Sequence, residues 1–361
     1  MCVNFIEPSA AAHTLAERAT APRLSLGKND LRQCLRIATG GSLAFVLCKL
    51  FDLQYGAFFC VYPMLLLGLV PRLTAHLMRQ FFTQGLVVSL EVALLYGLFG
   101  GRPLLMIPLV FLLFLYRFAL MASGPNFLFG ALGAVFLSIQ LNFASYPHTD
   151  VIAMLGSNGL AIVLAAAIAV LMFYLFPDCE PRPARTPPPK DRASRRHEAL
   201  LGATVATLSF SVFQCLDLQD SLSAQVASIL LLFPMHWNGS RFAGRTRAHG
   251  TLLGCVIALL IMLLLYDHHD LLPLVALLLW IAAMVCARWH MLEKGVPDVG
   301  FGALTTLAIL FGQSLTPSHD IIFATLYRLS SVCVSVLLTL FVVFMVHRLL
   351  NRFVTTRHSS H

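Results

Sequence analysis

Long apolar runs separated by short polar segments dominate the pattern of this chain. Residues 151–176 carry no charged side chain, and residues 104–120 carry only one. A run of about 20 apolar residues crosses the hydrocarbon layer of a membrane as a helix, because a helix satisfies its own backbone hydrogen bonds there. The pattern therefore predicts an all-α, polytopic membrane protein.

We predict twelve spans in two groups of six. The first six are placed at about residues 34–51, 55–70, 77–99, 103–122, 126–143 and 150–176, and the second six at about 198–216, 221–236, 247–266, 271–290, 297–313 and 320–346. The prolines and arginines of residues 177–197 predict a solvated linker between the groups. The predicted units are an amino-terminal segment 1–30, a first half 31–176, the linker 177–197, a second half 198–347 and a tail 348–361.

The placement of basic residues supports an even number of spans with both termini in the cytoplasm. With that orientation, every Lys and Arg except Lys49, Arg102 and Arg328 lies at a cytoplasmic segment or span end, and the opposite side carries mainly Asp and His. This is the positive-inside asymmetry of inner-membrane proteins. It explains the net charge of +8 without a nucleic-acid partner.

Composition agrees with a membrane protein. The chain is 58% hydrophobic and 12% charged, with a mean hydropathy of +0.79, whereas soluble domains carry about 25% charged residues. Nine cysteines form no CxxC pair, and no phosphate-binding glycine loop or nucleophile–base arrangement is present. We therefore expect neither a metal, a cofactor nor an enzyme.

The two halves share a repeated phrase. Residues 125–132 are PNFLFGAL and residues 297–304 are PDVGFGAL, while FDLQ at 51–54 matches LDLQ at 216–219. A third match pairs PHTDVI at 147–152 with PSHDII. Six spans per half give both copies the same orientation, so we predict a parallel repeat. Such repeats place substrate sites near the midplane, where the halves meet.

Each half also begins with a basic amphipathic segment, NDLRQCLRIATGGSLAF in the first and RRHEALLGATVATLSF in the second. With these segments and the outer turns, the chain resembles the fusaric acid resistance and aromatic acid exporter superfamily of bacterial inner-membrane proteins. It is similar to a compact branch of that superfamily, without the large cytoplasmic domain.

The resemblance implies efflux of aromatic carboxylates or related organic anions, driven by protons. It also implies a periplasmic adaptor of the membrane-fusion type, and a homo-oligomer is a further expectation. An anion channel and a non-transporting subunit of an envelope complex remain alternative functions.

Arg328 is the candidate cation for a substrate. It lies about 12 Å inside the last predicted span, where an unpaired charge costs at least ~2.5–3.5 kcal/mol. Tyr327 and several hydroxyl residues surround it in the sequence, and Asn158 is its counterpart in the first half. A guanidinium pairs well with a carboxylate, but a structural ion pair or a side chain reaching the outer surface explains the position equally well.

Glu91 is the carboxylate that lies clearly within a span, and Gln84 is seven residues earlier on the same helical face. Burial favours a neutral carboxyl and a nearby Arg favours a charged one. These opposing effects suit a proton carrier that exchanges protons for substrate. The alternative is a structural ion pair with Arg328 or Arg117, of which Arg117 otherwise serves to set topology.

His249 lies near the inner end of a span and matches Gln84 in the repeat. It is either a group that titrates near neutral pH or a buried histidine with its hydrogen bonds satisfied. The hypothesis places the proton on Glu91 and the anion on Arg328, Gln84 and Asn158, with Tyr327 and His249 nearby.

Overall fold

The computed structural model describes residues 26–100, 102–146, 149–180, 191–216, 222–234, 237–265, 271–293, 298–314 and 321–353. Most of the predicted amino-terminal segment, the centre of the linker and the end of the tail (residues 1–25, 181–190 and 354–361) lie outside the described residues. So do parts of the outer turns on which the repeat prediction relied, at 147–148, 217–221 and 315–320.

The described residues form α-helices and no strands. In chain order the twelve helices are α1 Lys28–Leu50, α2 Gly56–Leu69, α3 Ala75–Phe99, α4 Pro103–Ser123, α5 Phe127–Ala144, α6 Val151–Leu175, α7 Arg192–Cys215, α8 Leu222–Leu231, α9 Trp237–Leu264, α10 Leu272–Leu292, α11 Val299–Ser314 and α12 Ile321–Leu350. Each lies where a span was predicted.

Several helix ends differ from the prediction, among them the start of α1 at Lys28 instead of residue 34. α7 begins six residues early, because the side chain of Asp191 accepts a hydrogen bond from the Ala193 N–H at 3.2 Å and caps the helix. α9 begins at Trp237, so the basic segment that was expected to be a loop is helical. α8 ends at Leu231, followed by turns that lead to Pro234, which cannot donate a helical hydrogen bond.

Eight of the described helices are long and apolar enough to cross a membrane, whereas twelve spans were predicted. They are α3, α4, α5, α6, α7, α9, α10 and α12. The 14 residues of α2 and the 10 of α8 extend about 21 Å and 15 Å, less than the ~30 Å hydrocarbon layer. Together with α11 they are short helices inside the bundle, where protein rather than lipid surrounds their ends.

The centre of the bundle is formed by α2, α5, α8 and α11. In the most apolar window of α5, 78% of the residues are buried, against 28% in α12. The outer helices carry stripes of exposed leucines, of which Leu86, Leu90, Leu94 and Leu98 on α3 are each more than half exposed. Such continuous apolar surface is typical of contact with lipid. The architecture is that of a multi-pass membrane protein.

The first six helices pack against the last six mainly through four pairs of helices. α1 lies on α10, α4 on α7, α2 on α11 and α5 on α8. At the α2–α11 crossing the backbones meet, because a Cβ added to Gly312 would lie 2.8 Å from Cα of Ala57. At the α4–α7 crossing, Gly202 leaves room for the ring of Phe118. Glycines therefore permit the close approach of the two halves.

Candidate functional site

A buried polar cluster lies where α3, α4 and α5 pack together. α3 presents Gln84, Val88 and Glu91 along one stripe, since residues three and four apart share a helix face. α4 contributes Arg117, and α5 closes the cluster from the third side. We call Gln84, Glu91 and Arg117 the Arg117 cluster.

An ion pair forms the core of this cluster. Nη2 of Arg117 donates to Oε2 of Glu91 at 2.5 Å, and the exposed fractions of the two side chains are 0% and 18%. The guanidinium also lies 5.5 Å from the ring centroid of Phe129 and 5.2 Å from that of Tyr116. Arg117 is therefore a fully buried cation with one carboxylate and two aromatic neighbours, and not the topology signal that was expected.

The cluster contains more hydrogen-bonding groups than it satisfies. Nε and Nη1 of Arg117 are buried and have no partner among the described residues, and the same holds for both polar atoms of the Gln84 amide. A buried polar atom without a partner costs about 1–3 kcal/mol. Four such atoms at one place indicate a site that a small polar molecule or water completes.

Gly133 on α5 leaves the space that the side chains of the cluster occupy. A Cβ at this position would lie 2.5 Å from Nε2 of Gln84 and 2.8 Å from Cδ of Arg117. Both side chains thus occupy the space that a larger residue would take. Gly133 directly follows the repeated phrase PNFLFGAL, and its lack of a side chain makes room for the two polar side chains.

Asn158 belongs to a second network beside the cluster. The Tyr62 hydroxyl donates to Oδ1 of Asn158 at 2.6 Å, and Nδ2 of Asn158 donates to the Ser89 hydroxyl at 3.0 Å. All of the Asn158 and Tyr62 side chains are buried. Ser89 lies on α3 two residues before Glu91, and side chains two residues apart point to different sides of a helix, so this network contacts α3 on another face than the ion pair.

Arg328 lies in the second half with different partners. Its side chain is 6% exposed, and Nη2 donates to Oε1 of Gln313 on α11. α12 packs mainly against α7, α8 and α9, while α3 packs against α5 and α6. Glu91 and Arg328 therefore have separate partners, and Arg117 takes the place that the hypothesis gave to Arg328. Tyr327 is half-buried beside Arg328.

His249 does not line either buried network. It is exposed on α9, and its Nδ1 lies 2.8 Å from the carbonyl oxygen of Arg245 in the same helix. The repeat match with Gln84 is therefore misleading for the side chain: one residue points into the bundle and the other points out of it.

The structure confirms the alternative of an ion pair between Glu91 and Arg117, but the sequence did not predict that Arg117 is fully buried. It is the one charge in the apolar run of residues 104–120, which could have marked it. Its place near the end of a span also satisfies the positive-inside rule, and that rule does not distinguish a buried cation from a solvated one.

Comparison with protein families supports the membrane-transport character of the bundle. Residues 33–172 match the family described as "Protein of unknown function (DUF2955)", and residues 205–342 match the family described as "Fusaric acid resistance protein-like". No curated protein and no solved structure matches the chain. The match over residues 205–342 confirms, for that part of the chain, the resemblance to fusaric acid resistance proteins that the sequence indicated.

Proposed function

We propose that the protein exports aromatic or other amphipathic organic anions, and that the carboxylate of the anion binds Arg117. The observation that carries the proposal is the fully buried guanidinium with two unpaired nitrogens beside an unpaired amide. An anionic ligand supplies the acceptors that these donors lack. The description of the matching family, which refers to resistance to an aromatic carboxylate, supports the same class of substrate.

The single charge of Arg117 makes a substrate compete with Glu91. A guanidinium pairs with a carboxylate through two parallel N–H groups, and Glu91 already accepts a hydrogen bond from Nη2. One buried guanidinium neutralises one carboxylate, and a second carboxylate in the same buried site would have no counter-charge. The substrate carboxylate therefore displaces the Glu91 carboxylate.

Competition for Arg117 couples binding of the anion to uptake of a proton by Glu91. Once displaced, the mostly buried Glu91 carboxylate has no cation beside it, and burial disfavours its charged form. It takes up a proton as the anion binds. Anion and proton then move together and without net charge, so the outward concentration gradient of the acid drives export. The sequence predicted proton exchange instead, in which binding of the anion and binding of the proton would exclude each other.

The surroundings of Arg117 favour an aromatic anion. Phe129 and Tyr116 place ring faces beside the guanidinium, and Gln84 offers an amide that can donate or accept. An aromatic carboxylate can stack on these rings while its charge meets Arg117. A purely polar anion gains nothing from them.

Equivalent packing supports a parallel repeat of six helices. In the first half α2 packs on α1 and α6, and α5 packs on α3 and α4. Six helices later the same contacts recur: α8 packs on α7 and α12, and α11 packs on α9 and α10. The contacts between halves also recur, since α1–α10 corresponds to α7–α4 and α2–α11 to α8–α5.

We place the chain in a bacterial inner membrane with both termini in the cytoplasm, which the positive-inside asymmetry supports. A periplasmic adaptor protein and a homo-oligomer remain predictions.

Efflux of fusaric acid from proteoliposomes tests the proposal. We expect saturable efflux for the wild-type chain, loss of it for Arg117→Gln and incomplete rescue by Arg117→Lys, because an ammonium lacks the paired donors. Arg102→Gln, which changes an exposed arginine at the other end of α4, serves as control. Wild-type efflux by Arg117→Gln would contradict the proposal, and so would conductance without saturation or no movement at all.

A further inference from the structure

The basic start of α9 contains a second buried guanidinium. Arg241 and Arg245 are exposed on this helix, whereas Arg247 is only 7% exposed. Nη1 of Arg247 donates to Oγ1 of Thr305 on α11 at 2.7 Å, and its buried Nε has no hydrogen-bond partner among the described residues. Arg241 and Arg245 were predicted to lie in a loop and Arg247 at the first position of the next span, and the sequence did not distinguish Arg247 from its two neighbours.

Arg247 takes part in no ion pair among the described residues, where the ion pairs join Arg36 to Asp178 and Arg117 to Glu91. A buried charge without a counter-charge is costly, and proteins keep such groups where a ligand or a partner completes them. Arg247 thus differs from Arg36, whose guanidinium is paired with a carboxylate and a backbone carbonyl.

A pocket opens at this guanidinium. Its walls are mostly apolar, and they come from the end of α8, the start of α9 and the start of α11. The lining residues are Leu230, Leu231, Phe233, Ala243, Thr246, Arg247, Asp298 and Phe301. The enclosed part of the pocket measures about 20 Å³, which admits a carboxylate-sized group and not a whole organic molecule. A monocarboxylate can therefore place its carboxylate at Arg247 while its apolar body lies along the open side of the pocket.

We propose that the Arg247 pocket binds a monovalent organic carboxylate before it reaches the Arg117 cluster. With the topology proposed above, the start of α9 is at the cytoplasmic end, so the pocket faces the compartment from which an exporter takes its substrate. The assignment rests on the proposed function for its substrate class. Binding at the pocket itself can be measured without transport.

Asp298 restricts the charge of the ligand. Its Oδ1 accepts a hydrogen bond from the Val299 N–H at 2.9 Å and begins α11, and the same residue lines the pocket. A fixed negative charge at the wall disfavours dianions such as inorganic phosphate. A monocarboxylate, which needs only the guanidinium, is tolerated better.

Fusaric acid binding to the purified full-length chain in neutral-lipid nanodiscs tests the pocket. The measurement is made on Arg117→Gln, so that binding at the Arg117 cluster is removed. We expect this variant to retain binding, and the added change Arg247→Met to weaken it roughly tenfold or more, as the loss of a charged hydrogen bond predicts. The matched control is Arg245→Gln, at an exposed position two residues earlier, which should leave binding unchanged.

Thermal unfolding shows that a loss of binding is specific. Arg247→Met removes an uncompensated buried charge with a side chain of similar length, so the midpoint without ligand should rise or stay the same. The ligand-induced rise of the midpoint should disappear. Inorganic phosphate should produce no such rise in any variant.

Three results would overturn the pocket assignment. One is equal binding with and without Arg247→Met in the Arg117→Gln chain. Another is a lower midpoint for Arg247→Met, which would make Arg247 a structural residue. A third is displacement of fusaric acid by phosphatidylglycerol in the nanodisc, which would make a lipid headgroup the occupant. A failure of the proposed function would give other results. Arg247→Met would still weaken fusaric acid binding, whereas Arg117→Gln would leave transport unchanged.

Discussion

Removing Glu91 and removing Arg117 from their ion pair should have different effects on stability. Three variants remove it: Glu91→Gln, Arg117→Gln and the double variant. Arg117 is fully buried and cannot lose its proton, whereas the Glu91 side chain is 18% exposed and can gain one. The two single changes therefore leave very different groups behind.

The expected magnitudes follow from this difference. Glu91→Gln leaves an uncompensated buried cation and should cost about 3 kcal/mol of unfolding free energy or more. Arg117→Gln leaves a carboxyl that a proton neutralises, so its cost should be about 1–2 kcal/mol, the range for one lost hydrogen-bond partner. The double variant buries no charge. It should therefore be more stable than Glu91→Gln alone, with a coupling energy on the order of 1–3 kcal/mol.

Unfolding in mixed micelles with increasing dodecyl sulfate, followed by circular dichroism, measures the three differences. The penalty of Arg117→Gln should also shrink as the pH falls, because a proton then neutralises the carboxyl group that this variant leaves unpaired. If the two costs were additive and the double variant were the least stable of the three, Glu91 and Arg117 would not be a buried pair whose charges compensate each other.

Three further predictions concern packing and pH. Gly133→Ala should lower the free energy of unfolding by about 1–3 kcal/mol and reduce fusaric acid efflux, because the added Cβ would collide with Gln84. The control is Gly159→Ala, where nothing lies within 4 Å of the added Cβ. It should be neutral or stabilising in the same unfolding assay. Gly312→Ala should lower the unfolding midpoint by separating α2 from α11, and an unchanged midpoint would contradict the close backbone contact. Burial raises the pKa of Glu293, between α10 and α11, from 4.5 to about 7. The folded chain holds this proton at pH values where the unfolded chain has lost it, so stability should fall as the pH rises from about 4.5 to 7. Glu293→Gln should remove that part of the pH profile measured by thermal unfolding, and an unchanged profile would show that Glu293 does not cause it.

The helices were predictable because hydrophobic runs mark them directly. All twelve lie at the predicted positions. Their roles were not predictable from hydropathy, since α2, α8 and α11 are as apolar as spanning helices but shorter and enclosed by the others. Only packing distinguishes an apolar helix that faces lipid from one that faces protein.

The candidate site was predicted in part. Glu91 and Gln84 were named because they share a helical face, and the structure places both beside Arg117. The sequence left Arg117 and Arg328 open as partners of Glu91, because pairing depends on which helices touch and no spacing within one helix determines that. The structure confirms Arg117. Arg247 was missed because the basic segment continues as helix into the bundle. There the contact with Thr305 fixes it.

Competition between substrate and Glu91 for Arg117 is the central claim, and calorimetry of fusaric acid binding tests it most directly. Titrations of the Arg247→Met chain, which keeps only the Arg117 cluster, in buffers of different ionisation enthalpy count the protons taken up. We expect about one proton per bound anion with Glu91 present and none after Glu91→Gln, as the displacement of a buried carboxylate requires. Binding that takes up no proton while Glu91 is present would contradict the account.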